Sequence, residues 1–135
     1  MKKILFLAIL IFPTLLPAQT EQPPKIRLYS GFLSKKYELG DKEVGAADIR
    51  THLQKYDAEA YHLWRKADAA GTSSVVFAVL GAIGTLVGAT ANDNHTAAGA
   101  YLVAAGMYTV SLVGTISHAS RQEKAAKMYN VKYGY

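Results

Sequence analysis

The stretch Gly81–Gly88, GAIGTLVG, places three glycines inside an apolar run that otherwise has the composition of a helix. Each glycine costs a helix about 1 kcal/mol relative to alanine, so three of them require a compensating contact. Small residues recur every seven positions and form a lane along the helix: Ala60, Ala67, Ser74, Gly81 and Gly88. Gly84 lies beside this lane. A seven-residue repeat keeps one face of a helix against a partner helix. The stretch therefore predicts a long helix, over residues 57–92, that packs closely along another.

The partner is a second long helix predicted over residues 97–130, after a polar turn at 93–96. Gly99 and Gly106 in this helix are also seven residues apart. If the chain folds back midway between residues 93 and 94, Gly81 falls opposite Gly106 and Gly88 opposite Gly99, because each pair is equidistant from the turn. The predicted helix-packing seam therefore includes all of these glycines and lets the two backbones approach each other.

The distribution of charge indicates that this hairpin lies in lipid. Segments 69–92 and 97–117 carry no charged residue, and each is long enough, at about 20 residues, to cross a bilayer core. The face opposite the seam is apolar, and it comprises Val75, Val76, Val79, Leu80, Ile83, Leu86 and Val87. In water this stripe would need other subunits to cover it, whereas in lipid it needs no cover and small residues are a usual means of helix association. We therefore expect two membrane spans.

Residues that commonly anchor a helix at the membrane surface flank the two spans. Aromatic and basic side chains are enriched at that level. The expected membrane-interface residues are Tyr61, Trp64, Arg65, Lys66, His118 and Arg121.

A small head is predicted over residues 25–56. Alternation in KKYELGDKEV (35–44) predicts a β-hairpin that turns at Gly40 and Asp41. Residues 45–56 have helical spacing, and Asp57 can cap the helix that follows. The expected fold class is mainly α, a long antiparallel transmembrane helical hairpin with a small α+β head. Residues 19–24 form a proline-rich linker, and residues 131–135 form either a terminal strand or, as we favour, a packed tail.

The first 18 residues have the pattern of an export signal, with two lysines, a short apolar segment and an alanine at position 18. Export would place the head outside the cytoplasm. The basic residues at the base of the hairpin favour the opposite orientation by the positive-inside rule. Three explanations remain open: the signal is not used, the rule is overridden, or the hairpin enters another membrane from the periplasmic side.

Composition excludes several classes of function. The chain has no cysteine, so it has no disulfide, thiol nucleophile, thiolate metal site or lipidated N-terminal cysteine. The net charge of +5 falls to +3 once the two signal lysines are removed, and no basic run with interleaved aromatics occurs, so nucleic acid is not expected as a partner. No catalytic motif is present, and we expect no catalytic, cofactor-binding or metal-binding residue.

Two pairs of ionisable residues are candidate sites. Glu59 and His62 have the i, i+3 spacing of helical di-iron proteins, but such sites need further carboxylates, so an exposed pair is the favoured interpretation. His118 and Asp68 are expected to meet across the hairpin, either as a proton site or, as we favour, as a polar collar at the membrane boundary. His52 and His95 have no partner at a recognisable spacing.

The glycines of both helices, Gly81, Gly84, Gly88, Gly99, Gly106 and Gly114, resemble the glycine-zipper hairpins of small bacterial envelope proteins over residues 72–117. The resemblance implies membrane insertion and self-association, without an activity. The expected function is that of a non-enzymatic, membrane-anchored protein of the bacterial cell envelope that presents its head to another envelope protein. The alternative is a membrane-active or pore-forming oligomer of glycine-rich helical hairpins. The expected partners are the lipid bilayer, further copies of the chain and that envelope protein.

If residues 1–18 are a cleaved signal, the mature protein should begin at Gln19 or within two residues of it. Mass spectrometry of the membrane-bound protein measures this directly. A membrane-bound species that retains Met1 or Lys2 would contradict cleavage.

Overall fold

The computed structural model describes residues 22–30 and 35–135. The proposed signal, residues 1–18, and the first part of the linker lie outside these residues. The described residues form a three-stranded antiparallel sheet in the order β1-β2-β3 and three helices. The elements are β1 (Ile26–Ser30), β2 (Lys35–Leu39), β3 (Lys42–Val44), α1 (Ala46–Tyr56), α2 (Ala58–Thr90) and α3 (Asn94–Lys132).

Helices α2 and α3 form the long antiparallel hairpin, and aspartates set where both begin. The Asp57 carboxylate accepts hydrogen bonds from the backbone N–H groups of Glu59 and Ala60, both at 3.1 Å, so the cap predicted at this position is confirmed. The Asp93 carboxylate accepts from the N–H of Thr96 at 2.7 Å and caps α3. Because the cap is Asp93, α3 begins three residues before the predicted start, and the connection shortens to residues 91–93.

The small-residue lane of α2 is buried along its whole length. The buried residues of this helix are Ala60, Trp64, Ala67, Ser74, Gly81 and Gly88. Five of these six residues are the lane, with its seven-residue spacing, and Gly84 beside it is partly buried. The lane therefore faces α3, which packs against nearly the full length of α2.

The glycines predicted on the other side of the seam do not face it. Among the described residues, no atom outside the local helix lies within 4 Å of where a Cβ of Gly99 or Gly106 would be. Gly81 packs instead against the ring of Tyr108, and Gly88 against the ring of Tyr101, with ring carbons 3.0 Å and 2.9 Å from the position of a Cβ. The predicted pairs Gly81–Gly106 and Gly88–Gly99 are therefore wrong.

The physical reason is that α3 is rotated about its own axis relative to the predicted arrangement, while its position along the hairpin is nearly as predicted. Two residues along a helix advance it by only about 3 Å but turn it by about 200°. Equal distance from the turn fixes the height of a residue without fixing the side of the helix on which it lies. A tyrosine ring can fill the hollow that a glycine leaves, and this arrangement buries more surface than two glycines in contact.

Two rows of α3, each with seven-residue spacing, lie on the side of this helix that faces α2 and the head. One row is Tyr101, Tyr108, Thr115, Gln122 and Tyr129, and the other is Ala104, Ser111, His118 and Ala125. Together they alternate spacings of three and four, which is the pattern of a coiled-coil seam. The seam thus joins small residues of α2 to a mixed face of α3.

The sheet has the predicted hairpin and one further strand. Strands β2 and β3 pair with Tyr37 opposite Val44, and Gly40 in the turn between them has a φ of +66°. A positive φ suits glycine, which lacks the Cβ that other residues would have to accommodate. Strand β1 pairs with the other edge of β2, with Ile26 opposite Leu39. The head therefore contains a three-stranded sheet where the sequence predicted a hairpin.

The head shares its core with the base of the hairpin. The core cluster joins Ile26 of β1, Ile49 and Leu53 of α1, and the first and last turns of the long helices; the helix members are Ala60, Trp64, Ala125, Ala126 and Tyr129. A sheet this small buries too little surface to be stable alone. The head is therefore one end of a continuous structure and not a separate unit on a stalk.

Replacing Gly84 with leucine should destabilise the hairpin by about 1–3 kcal/mol, as overpacking does. A Cβ at this position would lie 3.2 Å from the Cβ of Ala104 and 3.4 Å from the carbonyl oxygen of Ala100, and that backbone cannot easily move away. The free energy of unfolding in detergent micelles measures the effect.

Gly106→Leu is the matched control, because it brings the same gain in helix propensity at a position with open space. It should leave the free energy of unfolding almost unchanged. An equal loss of stability in the two variants would contradict the observed seam.

Candidate functional site

Three polar side chains of α3 attach the head to the hairpin, and we call the region around them the junction: Gln122, Tyr129 and Asn130. The side-chain oxygen Oδ1 of Asn130 accepts a hydrogen bond from the backbone N–H of Ile26 at 3.0 Å. The side-chain NH₂ group of Asn130 donates to the backbone carbonyl oxygen of Ile26 at 2.7 Å. This pair of bonds imitates one residue of a neighbouring strand. It satisfies the backbone of β1 at an edge that would otherwise be open.

His52 and Tyr129 form a buried pair at the centre of the junction. His52 Nε2 lies 2.6 Å from the Tyr129 hydroxyl oxygen, and that hydroxyl donates to the carbonyl oxygen of Pro24 at 3.2 Å. Since one hydroxyl has a single proton, the His52 Nε2–H donates to Tyr129 in this arrangement. Spacing along the sequence indicates no partner for His52, because its partner lies 77 residues away in the chain.

Gln122 makes a second polar attachment. Its side chain is almost fully buried, and Oε1 accepts from Lys35 Nζ at 3.0 Å and from the Tyr37 hydroxyl at 3.4 Å. Burial raises the pKa of Tyr37, so this hydroxyl remains a donor at ordinary pH. Gln122 and Tyr129 are one heptad apart, and both point from α3 into the head.

The tail and the linker are also part of the junction. The Tyr133 hydroxyl donates to the carbonyl oxygen of Tyr56 at 2.7 Å, and the Tyr135 hydroxyl donates to that of Pro23 at 2.6 Å. The Gln22 side chain donates to the carbonyl oxygen of Tyr133. The predicted tail begins two residues too early, since residues 131 and 132 belong to the last turn of α3. Residues 133–135 pack against the head and form no strand, and they hold the described part of the linker in place.

Trp64 was expected at the membrane interface, and the structure contradicts this. Its side chain is 0% exposed and lies in the core that the head and the hairpin share, with its ring centre 5.9 Å from that of Tyr37. An interfacial tryptophan keeps its N–H near water or headgroups. Here Nε1 is buried without a hydrogen-bond partner among the residues that the structure describes. The sequence could not reveal this because the head that covers Trp64 comes from β2 and α1.

The other predicted interface residues lie at or near the surface around the base. Tyr61 is partly buried against the core, and Arg65 and Lys66 are exposed. Arg121 is exposed and donates from Nη1 to the carbonyl oxygen of Lys66 at 3.2 Å, which links the two helices just above the charge-free segments.

The expected contact between His118 and Asp68 is replaced by two others. His118 Nδ1 lies 2.8 Å from the carbonyl oxygen of Ala67, so Nδ1 carries a proton and donates to it. Asp68 Oδ2 instead lies 3.7 Å from Arg50 Nη1 of α1. The sequence placed Asp68 and His118 at the same height, but α1 lies beside α2 and supplies a cation to Asp68.

A cavity of about 570 Å³ opens beneath the first turn of α1, next to these contacts. We call it the boundary cavity, because charged residues line its upper part and the charge-free segments begin below it. Its lining consists of Ala46, Ala47, Arg50, Asp68, Gly71, Thr72, Ser74, Val75, Thr115 and His118.

A cluster of hydroxyl groups lies in the seam at the lower end of this cavity. Ser74 Oγ donates to the carbonyl oxygen of Ser111 at 2.7 Å, and the Thr115 hydroxyl lies 2.6 Å from Ser74 Oγ. Gly114 permits this approach, since a Cβ there would lie 3.0 Å from the Ser74 Cβ. Hydrogen bonds of this kind join helices in a lipid environment.

No metal site is evident in residues 22–30 and 35–135, where no cluster of three or more His, Cys, Asp or Glu side chains could hold an ion. Glu59 and His62 both lie on the exposed surface of α2.

Lowering the pH should destabilise the protein through His52. Burial, and secondly the positive charge of Lys55, hold the pKa of His52 below its ordinary value of 6.5. The unfolded chain therefore binds this proton more readily than the folded chain, so stability is full above pH 6.5 and falls as the pH drops below it.

The unfolding temperature measured across this pH range tests the effect. His52→Gln should remove part of the pH dependence, whereas His62→Gln at an exposed position should preserve it. An unchanged pH dependence in His52→Gln would contradict this role of His52.

Comparison with known proteins identifies no relative of this chain. No protein-family model matches the chain, and no curated protein or solved structure matches it either. The chemistry of the junction and of the boundary cavity is therefore inferred from their own residues: a closed polar attachment between head and hairpin, and an open cavity with one cation and one anion at its rim.

Proposed function

We propose that the chain is a non-enzymatic, membrane-anchored protein of the bacterial cell envelope, with the distal hairpin in lipid and the head presented to a protein partner on the exported side. The observation that carries this proposal is the surface of the hairpin beyond the head. Large apolar side chains there remain exposed on both helices, including Leu86 at 66% and Leu102 at 75%.

The length and composition of the helices support insertion. Among the described residues, α2 and α3 are long and apolar enough to cross a membrane, and their most apolar segments are only 11% and 6% buried. A core helix of a soluble protein passes the same test of composition but is mostly buried by its own fold. Lipid supplies the missing cover without any further protein.

The head has a different surface, which favours water. Ion pairs cross the exposed face of its sheet, with Arg27 Nη1 3.6 Å from Glu38 Oε2 and Lys36 Nζ 3.5 Å from Glu43 Oε2. Exposed pairs of this type add little stability, but their charges keep the sheet in the aqueous phase. A polar head fixed rigidly at one end of an apolar hairpin suits a protein that holds a recognition surface at a fixed height above a membrane.

The second candidate, a membrane-active oligomer, is favoured by Gly99 and Gly106. Both glycines face outward from the seam into open space, and small residues on a lipid-facing surface let a second helix approach closely. Dye release from vesicles that contain the purified protein separates the two candidates, since an anchor alone releases no dye.

A lysine in place of Ile83 tests the anchor proposal. Ile83 lies within the charge-free segment and is 51% exposed. In lipid a central lysine costs about 2.5–3.5 kcal/mol, so Ile83→Lys should shift protein from the pellet to the supernatant after alkaline carbonate extraction, whereas the wild type stays in the pellet. In water the same change would only improve solubility.

Val131→Lys is the matched control, because Val131 is also an exposed apolar residue of the hairpin but lies at the base, among charged residues. It should fractionate like the wild type. Release of the wild-type protein by carbonate would contradict membrane anchoring.

A further inference from the structure

The boundary cavity has the position of a lipid headgroup site. Asp68 is the last charged residue of α2 before the charge-free segment, and His118 follows directly after that of α3. Both residues line the cavity. If the hairpin spans a bilayer, as proposed above, this cavity lies at the level where the polar groups of phospholipids meet the acyl chains.

The rim of the cavity offers two opposite charges that are held together only weakly. Arg50 Nη1 and Asp68 Oδ2 are 3.7 Å apart, and the two side chains are 50% and 34% exposed. An exposed pair of this kind contributes little net energy. A ligand with its own anion and cation could therefore take up both charges at small cost.

Further groups suit the two halves of such a ligand. Ala46 and Ala47 of the first turn of α1 line the cavity beside Arg50, and the Arg50 guanidinium is the group there that favours an anion, since the Asp48 carboxylate already accepts the N–H of Gly45 at the start of this helix. His118 donates from Nδ1 to Ala67, so its Nε2 is left as an acceptor, and both His118 and the Asp68 carboxylate line the cavity, where an ammonium group can donate to them. The anion and the cation of the ligand would thus have separate partners.

The lower part of the cavity continues into the apolar surface. Val75 lines the cavity and is 64% exposed, and Val79 one turn further along α2 is 54% exposed. An acyl chain can follow this stripe while the headgroup stays at the rim. Gly71 makes room for the His118 ring beside the cavity, since a Cβ there would lie 3.0 Å from His118 Nδ1.

We propose that the boundary cavity binds the headgroup of a phospholipid that carries a primary ammonium group, of the phosphatidylethanolamine class. The phosphate lies at Arg50, and the ammonium lies at Asp68 and His118, which line the same cavity. The proposal rests on the proposed membrane anchoring, and it assigns the protein a preference among lipids.

Native mass spectrometry of the full chain in detergent, with added phosphatidylethanolamine or phosphatidylglycerol, measures this preference. The wild type should retain phosphatidylethanolamine more strongly. Arg50→Gln should weaken retention of both lipids about tenfold, through loss of a charge-assisted hydrogen bond. Asp68→Asn should remove the preference between them. Soluble glycerophosphoethanolamine in excess should compete only weakly, because it lacks the acyl chains.

Arg65→Gln is the matched control, since Arg65 is an exposed arginine of α2 that does not line the cavity. Ala47→Trp places a large side chain in the cavity and removes neither charge, and it should reduce retention as Arg50→Gln does. Retention that is equal in Ala47→Trp, Arg50→Gln and Arg65→Gln, or equal for the two lipids in the wild type, would overturn the proposal. Carbonate extraction of the same variants distinguishes a failure of lipid binding from a failure of membrane anchoring. A variant that stays in the pellet but shows no lipid preference is still anchored in the membrane.

Discussion

Close approach of two helix backbones is the constraint on which the remainder of this structure depends. It requires a lane of residues with almost no side chain on α2, spaced by seven so that the lane stays on one face for the length of the helix. The lane from Ala60 to Gly88 meets this requirement, and each glycine receives a ring or a methyl group of α3. The helices can then run side by side from the turn to the base with only their outer faces exposed.

The same heptad rows have different functions at the two ends of the hairpin. Near the turn, Tyr101 and Tyr108 of α3 fill hollows over glycines and remain nearly half exposed. At the base, Gln122 and Tyr129 of the same row are buried and reach into the head. Near the turn this row packs the two long helices together, and at the base it binds the head. The change occurs where the charge-free segment of α3 ends.

Much of the hairpin could be predicted from the sequence, and the reasons for the failures are specific. The lane of α2 is visible because small residues are rare at strict seven-residue spacing, and the turn at Gly40 is visible because its chemistry is local. The facing rows of α3 were missed because tyrosine, alanine, serine and histidine share no simple property. The buried state of Trp64 and the partners of His52 and Asp68 depend on where α1 and the sheet lie, and no spacing along α2 or α3 records that position.

The Asn130 amide that completes the edge of β1 has a consequence for the order of events in biosynthesis. Ile26 and Asn130 are 104 residues apart, so β1 leaves the ribosome long before its hydrogen-bond partner does. The loop between them closes when α2 and α3 pair, since the hairpin brings the end of α3 back to the start of the head. The bonds from Asn130 to β1 can therefore form only after α3 has been synthesised and has packed along α2, so this attachment of the head depends on prior assembly of the hairpin.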